Sequence, residues 1–167
     1  PGEPRTVESL MLVSEDGLIW RKQAVFQPEG GDETAFLFEP DGSAIAVART
    51  YGNQEAMLLR SKPPYDDWQR TGLGRAIGGP LLARWGDRLV VGGRKSLGDT
   101  GPKTFLAWLA GDRLVEFAEL PSAGDNSYPG LVPLSESRAL ISYYSSHERD
   151  DSGQRITAIY LAELQLA

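Results

Sequence analysis

The chain has 167 residues, 24% of them charged, a formal net charge of −6 and no cysteine. That length suits a single domain burying roughly 70% of its unfolded surface, and the acidic balance without a Lys/Arg-rich run argues against a nucleic-acid partner, whose phosphates demand a basic stripe. The missing thiols exclude disulfides, cysteine-ligated zinc and a thiol nucleophile, and with no 18-residue apolar run or signal-like start no membrane partner is expected, while the compartment stays open.

Glycine and proline (19 and 11 residues) are spread along the chain and leave few windows for an uninterrupted three-turn helix, so an all-β fold is expected. The opening stretch "VESLMLVSEDGLIWRKQAV" reads as a hairpin around Ser14-Glu15-Asp16-Gly17, with Trp20 covering the turn. A four-strand unit follows at Ala35 to Glu39, Ala44 to Arg49, Glu55 to Arg60 and Trp68 to Thr71. A second occupies Pro80 to Trp85, Arg88 to Arg94, Lys103 to Leu109 and Arg113 to Glu119. The third has Tyr128 to Leu134, Arg138 to Tyr144 and Arg155 to Leu164, with no fourth strand. Its last segment, "RITAIYLAELQLA", also suits a helix, and the repeat decides for strand.

The repeat is carried by "DETAFLFEPDGSAIAVART", "GGPLLARWGDRLVVGGRK" and "NSYPGLVPLSESRALISYYSS", whose starts near Glu33, Gly79 and Tyr128 are 46 and 49 residues apart. Units of that length built from several short strands with Gly or Asp turns predict propeller blades. The expected organisation is one partial propeller domain over 1–167. Residues 1–27 give the outer strands of one blade, 32–72 and 78–120 whole blades, and 125–167 an incomplete last one.

Four stretches resemble the C-terminal half of the six-bladed sialidase-like propellers, those with neuraminidase (BNR) repeats or Asp boxes. "SEDGLIW" is similar to an Asp box, Ser-x-Asp-x-Gly-x-x-Trp, lacking one residue between Asp16 and Gly17; "LLRSKPPYDDW" keeps Ser61 and Trp68 of the same pattern. "GGPLLARWGDRLVVGGR" and "GDNSYPGLVPLSESRALISYYSSHE" resemble the inner hairpins of the fifth and sixth blades. The resemblance implies about half of a six-bladed propeller made of four-stranded antiparallel blades. It also implies a Tyr nucleophile, Tyr128, activated by Glu33, with Arg49 and Arg94 as the second and third arginines of a carboxylate clamp. The first arginine and the acid/base Asp would belong to earlier blades outside this stretch.

The chemistry has a physical reason. The carboxylate of a sialic-acid-type sugar would repel an anionic nucleophile at the adjacent anomeric carbon, which a tyrosine deprotonated through a glutamate avoids. Guanidinium forks bind a carboxylate bidentately, as lysine does not. Each residue also has a plainer reading: Tyr128 as a packed ring with its hydroxyl capping a turn, Glu33 as a solvated turn acid beside Asp32, and either arginine as a surface ion-pair partner. His147, the single histidine, reads as a loop residue in "HERDD". Gly78-Gly79 and Gly92-Gly93 flank strands, so close blade packing explains them better than a phosphate cradle. Trp20, Trp68, Trp85 and Trp108 are expected between blades.

The leading expectation is therefore a sialidase-like glycoside hydrolase fragment with part of an acidic-sugar pocket, catalytic only when completed. The alternative is a non-catalytic propeller module for binding or scaffolding. No cofactor or metal is implied. Expected partners are a carbohydrate and either a second copy of the chain or the missing N-terminal half.

Overall fold

The computed structural model describes residues 7–96, 98 and 101–166, with only the backbone of Asn53; residues 1–6 and Ala167, within the first and last expected blades, lie outside it. Among the described residues thirteen strands form four antiparallel sheets. The first sheet pairs β1 (Ser9–Val13) with β2 (Arg21–Gln27). The second runs in sequence order through β3 (Gly31–Phe38), β4 (Ala44–Thr50), β5 (Gln54–Ser61) and β6 (Gln69–Gly72). The third does the same with β7 (Gly78–Trp85), β8 (Arg88–Ser96), β9 (Pro102–Ala110) and β10 (Arg113–Glu119). The fourth contains β11 (Asn126–Pro133), β12 (Arg138–Arg149) and β13 (Arg155–Gln165). The second, third and fourth sheets are propeller blades, up-and-down meanders whose first strands lie against one another: β3 abuts β7, and β7 abuts β11.

Three apolar layers hold the blades face to face. Ala24, Phe26, Ala46 and Trp68 fill the space between the first two sheets, and Val47, Leu58, Val91 and Phe105 the space between the second and third. Trp85, Leu106, Ile141 and Tyr143 join the third to the fourth. Alternation explains the arrangement: along β4 the small Ala44, Ala46 and Ala48 face one neighbour, while Ile45 and Val47 face the other. Gly93 answers a close approach, since a Cβ there would sit 2.6 Å from the Ile77 side chain and 2.8 Å from the Gly78 carbonyl oxygen.

Several local expectations are corrected. The Asp16 turn forms, with the carboxylate accepting the backbone N–H of Leu18 and Ile19 at 2.8 and 2.9 Å, but Trp20 is 58% exposed and does not cover it. The shortened turn presents Leu18, Ile19 and Trp20 to solvent, whereas Trp68 is buried against Phe26 and Phe36. β12 continues five residues past Tyr144 because Glu148 and Arg149 still pair with Ile156 and Arg155. His147 is therefore a strand residue, its Nδ1 3.0 Å from the Ser145 hydroxyl and its ring 4.4 Å from that of Tyr160. The segment after Gln154 is strand, as the repeat required.

Candidate functional site

One backbone irregularity recurs in all three inner hairpins and positions the candidate residues. The register slips between Gly31 and Thr34 in β3, between Gly78 and Leu81 in β7, and between Ser127 and Gly130 in β11. In each case two residues bulge against one on the second strand. A bulge bends its strand and re-aims its side chains, which is why bulges collect at functional sites. The bulged pairs are Asp32-Glu33, Gly79-Pro80 and Tyr128-Pro129. The repeat is thus one residue out of step with the sequence reading: Tyr128 matches Gly79 and Asp32, and Glu33 lies inside β3 rather than before it.

Glu33 is the hub. Its Oε2 accepts the Gly79 backbone N–H at 2.8 Å and Arg49 Nη1 at 3.0 Å, and its Oε1 accepts the Tyr128 hydroxyl. Arg49 is also tied through Nε to Asp32 Oδ2 at 3.2 Å. Gly79 can donate only because it is glycine: with φ +52°, a Cβ would lie 2.4 Å from the Ser127 hydroxyl and 3.0 Å from the Tyr128 nitrogen. Tyr128 itself has φ +48°, an uncommon and costly conformation for a bulky residue, and the residue is 57% exposed.

A second group lies beside the first. Tyr144 stacks on Tyr128 with centroids 5.9 Å apart, and its hydroxyl donates to Asp125 Oδ1 at 2.8 Å. Arg94 Nη1 reaches the same Oδ1 at 3.0 Å. Burial, reinforced by the hydrogen bond and charge of Asp125, pushes the Tyr144 hydroxyl above its ordinary value. Arg49 and Arg94 both line a cavity of about 230 Å³, together with Thr50, Gly78 and Ser96. The two arginines lie near the ends of equivalent strands at different register positions: Arg94 faces Gly78 as Thr50 faces Gly31 and Tyr144 faces Ser127, while Arg49 lies one residue earlier, opposite the bulge.

All four residues singled out from sequence are therefore gathered in one region. Asp32, Gly79, Asp125 and Tyr144 were missed as members. The signal available for Tyr144 was its place at the end of the strand expected from sequence in the third inner hairpin, as Arg49 and Arg94 end the expected strands of the other two. Among the described residues no group of acidic or histidine side chains is arranged to hold a metal ion.

No family model and no curated protein matches the chain. Solved structures do. A protein of unknown function from Dyadobacter fermentans superposes with TM-score 0.69 at 20% identity, over 94% of this chain and 45% of that one. An alpha-L-arabinofuranosidase from Fusarium graminearum, solved with an iminosugar inhibitor, superposes with TM-score 0.59 at 10% identity, over 98% of this chain and 51% of the other. The chain spans about half the length of these structures. At such identities the likeness is one of fold: a partial, blade-built all-β propeller.

Proposed function

We propose that the chain contributes half of a sialidase-like pocket for an acidic sugar, in which Tyr128 is the nucleophile, Glu33 its base, and the two arginines form the clamp side, Arg94 facing the substrate carboxylate and Arg49 holding Glu33 beside it. The observation that carries this reading is the hydrogen bond from the Tyr128 hydroxyl to Glu33 Oε1, made by a tyrosine held in strained backbone at a bulge. Glu33 Oε2 is occupied by Arg49 and Gly79, which leaves Oε1 to receive the phenolic proton. The Tyr128 oxygen would bond to the anomeric carbon as the bond to the leaving oxygen breaks. That oxygen would take its proton from an acid supplied by further blades, either those of a second copy or those of a longer polypeptide.

The second reading is a carbohydrate-binding or scaffolding propeller module without turnover. It is favoured by the pairing of both arginines with carboxylates of the chain itself, Asp32 and Glu33 for one and Asp125 for the other. Calorimetric titration with N-acetylneuraminic acid and with neutral N-acetylglucosamine, alongside release of a fluorogenic sialoside, separates the two. Turnover abolished by Tyr128→Phe supports the enzyme; binding without turnover supports the module. Equal or no binding of both sugars sinks the acidic-sugar pocket.

A further inference from the structure

Resting on the acidic-sugar reading, we infer that Asp125 is a displaceable latch on Arg94. It occupies the guanidinium edge of Arg94 that a ligand carboxylate takes over, whereas Arg49 is a fixed support for Glu33. The two arginines differ in how they are held. Arg49 makes two ion pairs through two different nitrogens, at 3.2 Å to Asp32 and 3.0 Å to Glu33, with all three side chains about three-quarters buried. Its carboxylate partners are bound further: Asp32 Oδ1 takes the Glu33 backbone N–H at 2.8 Å, and Glu33 takes Gly79 and Tyr128. Releasing Arg49 would dismantle the Tyr128–Glu33 pair.

Among the described residues Arg94 has a single ion pair, from Nη1 to Asp125 Oδ1, beside a 3.4 Å hydrogen bond from the same nitrogen to the Asn126 carbonyl oxygen, and the Asp125 side chain is 67% exposed. An exposed pair of this kind is weak and exchanges readily with solvent or another anion. The backbone that presents the latch is firm. Asn126 is fully buried, bonding Thr104, Pro102 and Gly124 through its side chain, and the Asp125 carbonyl oxygen accepts the Ser146 N–H at 2.9 Å. Asp125 can thus swing its carboxylate away without disturbing β11. Tyr144 then keeps a hydroxyl donor facing the vacated position, so an incoming carboxylate meets the same two donors, Arg94 Nη1 and the Tyr144 hydroxyl, that Asp125 now satisfies. Asp125 is in this sense a positioning residue: it holds Arg94 and Tyr144 aligned until a carboxylate replaces it.

The test follows the side-chain Nε–Hε resonances of Arg94 and Arg49 by NMR during titration with sodium acetate, the simplest carboxylate. In the unmodified chain the Arg94 resonance should shift saturably while that of Arg49 stays in place. Asp125→Asn, which keeps shape and removes charge, should lower the half-saturating acetate concentration about three- to fivefold, the scale of a surface ion pair. A merely structural Asp125 would give weaker binding or none on the same substitution, and either overturns the latch, as does a shift confined to Arg49. A parallel titration with N-acetylneuraminic acid and N-acetylglucosamine judges the sugar reading separately. Acetate displacing Asp125 without preference for the acidic sugar leaves the latch standing and removes the sialidase-like pocket.

Discussion

The Tyr128 hydroxyl donates to the Glu33 carboxylate across 95 residues of sequence, joining the first strands of two blades that are not neighbours in the chain. The blade between them takes part through the Gly79 N–H, so three successive bulges converge on one carboxylate. This makes Glu33 structural as well as chemical. Tyr128→Phe should cost less than about 1 kcal/mol of stability, since the ring is more than half exposed and one hydrogen bond is lost. Glu33→Gln should cost more, about 2–3 kcal/mol, because Arg49 and Gly79 lose a charged acceptor as well. Urea denaturation of both variants and the double variant measures the difference; equal costs would show that Glu33 holds nothing but the tyrosine.

Gly79→Ala should destabilise the chain by more than about 1 kcal/mol, combining a left-handed backbone with a collision against Ser127 and the Tyr128 nitrogen. Gly111→Ala is the control: it shares a positive φ, +64°, but its Cβ would meet nothing within 4 Å. Thermal melts of the two variants should differ, and the larger loss at position 79 isolates the steric part. Matching losses would show that the bulge relaxes freely.

The blade order and strand count were legible in the sequence because hydrophobic alternation and Gly or Asp turns are local properties, repeated three times. The contact between Glu33 and Tyr128 was expected only from the family resemblance, which for Tyr128 rested on "GDNSYPGLVPLSESRALISYYSSHE", not from any property of their own neighbourhood; the structure brings the two together. What was not legible was register. A bulge adds one residue without changing composition, so Asp32 rather than Glu33 proves to match Tyr128, and Arg94 matches Tyr144 rather than Arg49. Trp20 was misjudged for a related reason: an Asp-box turn one residue short still satisfies Asp16 while leaving the tryptophan outside.

Stability should fall at both ends of the pH scale. Burial alone would push the Glu116 carboxyl up, but hydrogen bonds and charge from Lys95 and Arg75 hold it below its ordinary 4.5. Its contribution is therefore present above pH 4.5 and lost as pH drops through the lower folded value. Burial raises the Tyr143 and Tyr144 hydroxyls above 10, with Glu148 adding to the first and Asp125 to the second. Unfolded tyrosines ionise sooner than these, so stability declines as pH climbs past about 10. Melting temperatures across the range should form a plateau with two falling limbs, and Glu116→Gln should flatten the acid limb. An unchanged acid limb would place its origin elsewhere.

The outer face of the fourth sheet carries exposed apolar side chains. Register puts Val132 on β11 and Leu161 and Ile159 on β13 on one face, opposite the buried Ala139, Ile141 and Tyr143, and the three are 59%, 71% and 85% exposed. In the third sheet the corresponding face is covered by the next blade, as Val90 and Leu106 are by Ile141 and Tyr143. β13 also ends its sheet, and among the described residues no strand pairs with its 11-residue edge, which has no proline to blunt it. An apolar face beside an open edge favours association, and a further blade, from a second copy or from a longer polypeptide, is the occupant whose shape and alternation fit both. Light scattering after size exclusion should therefore find the isolated chain above its 18.2 kDa mass in a concentration-dependent way. Replacing Ile159 and Leu161 together by lysine, at positions where no packing is lost, should return it to that mass. A stable 18.2 kDa species at every concentration would mean that this face is tolerated bare, and would leave the chain a self-sufficient module.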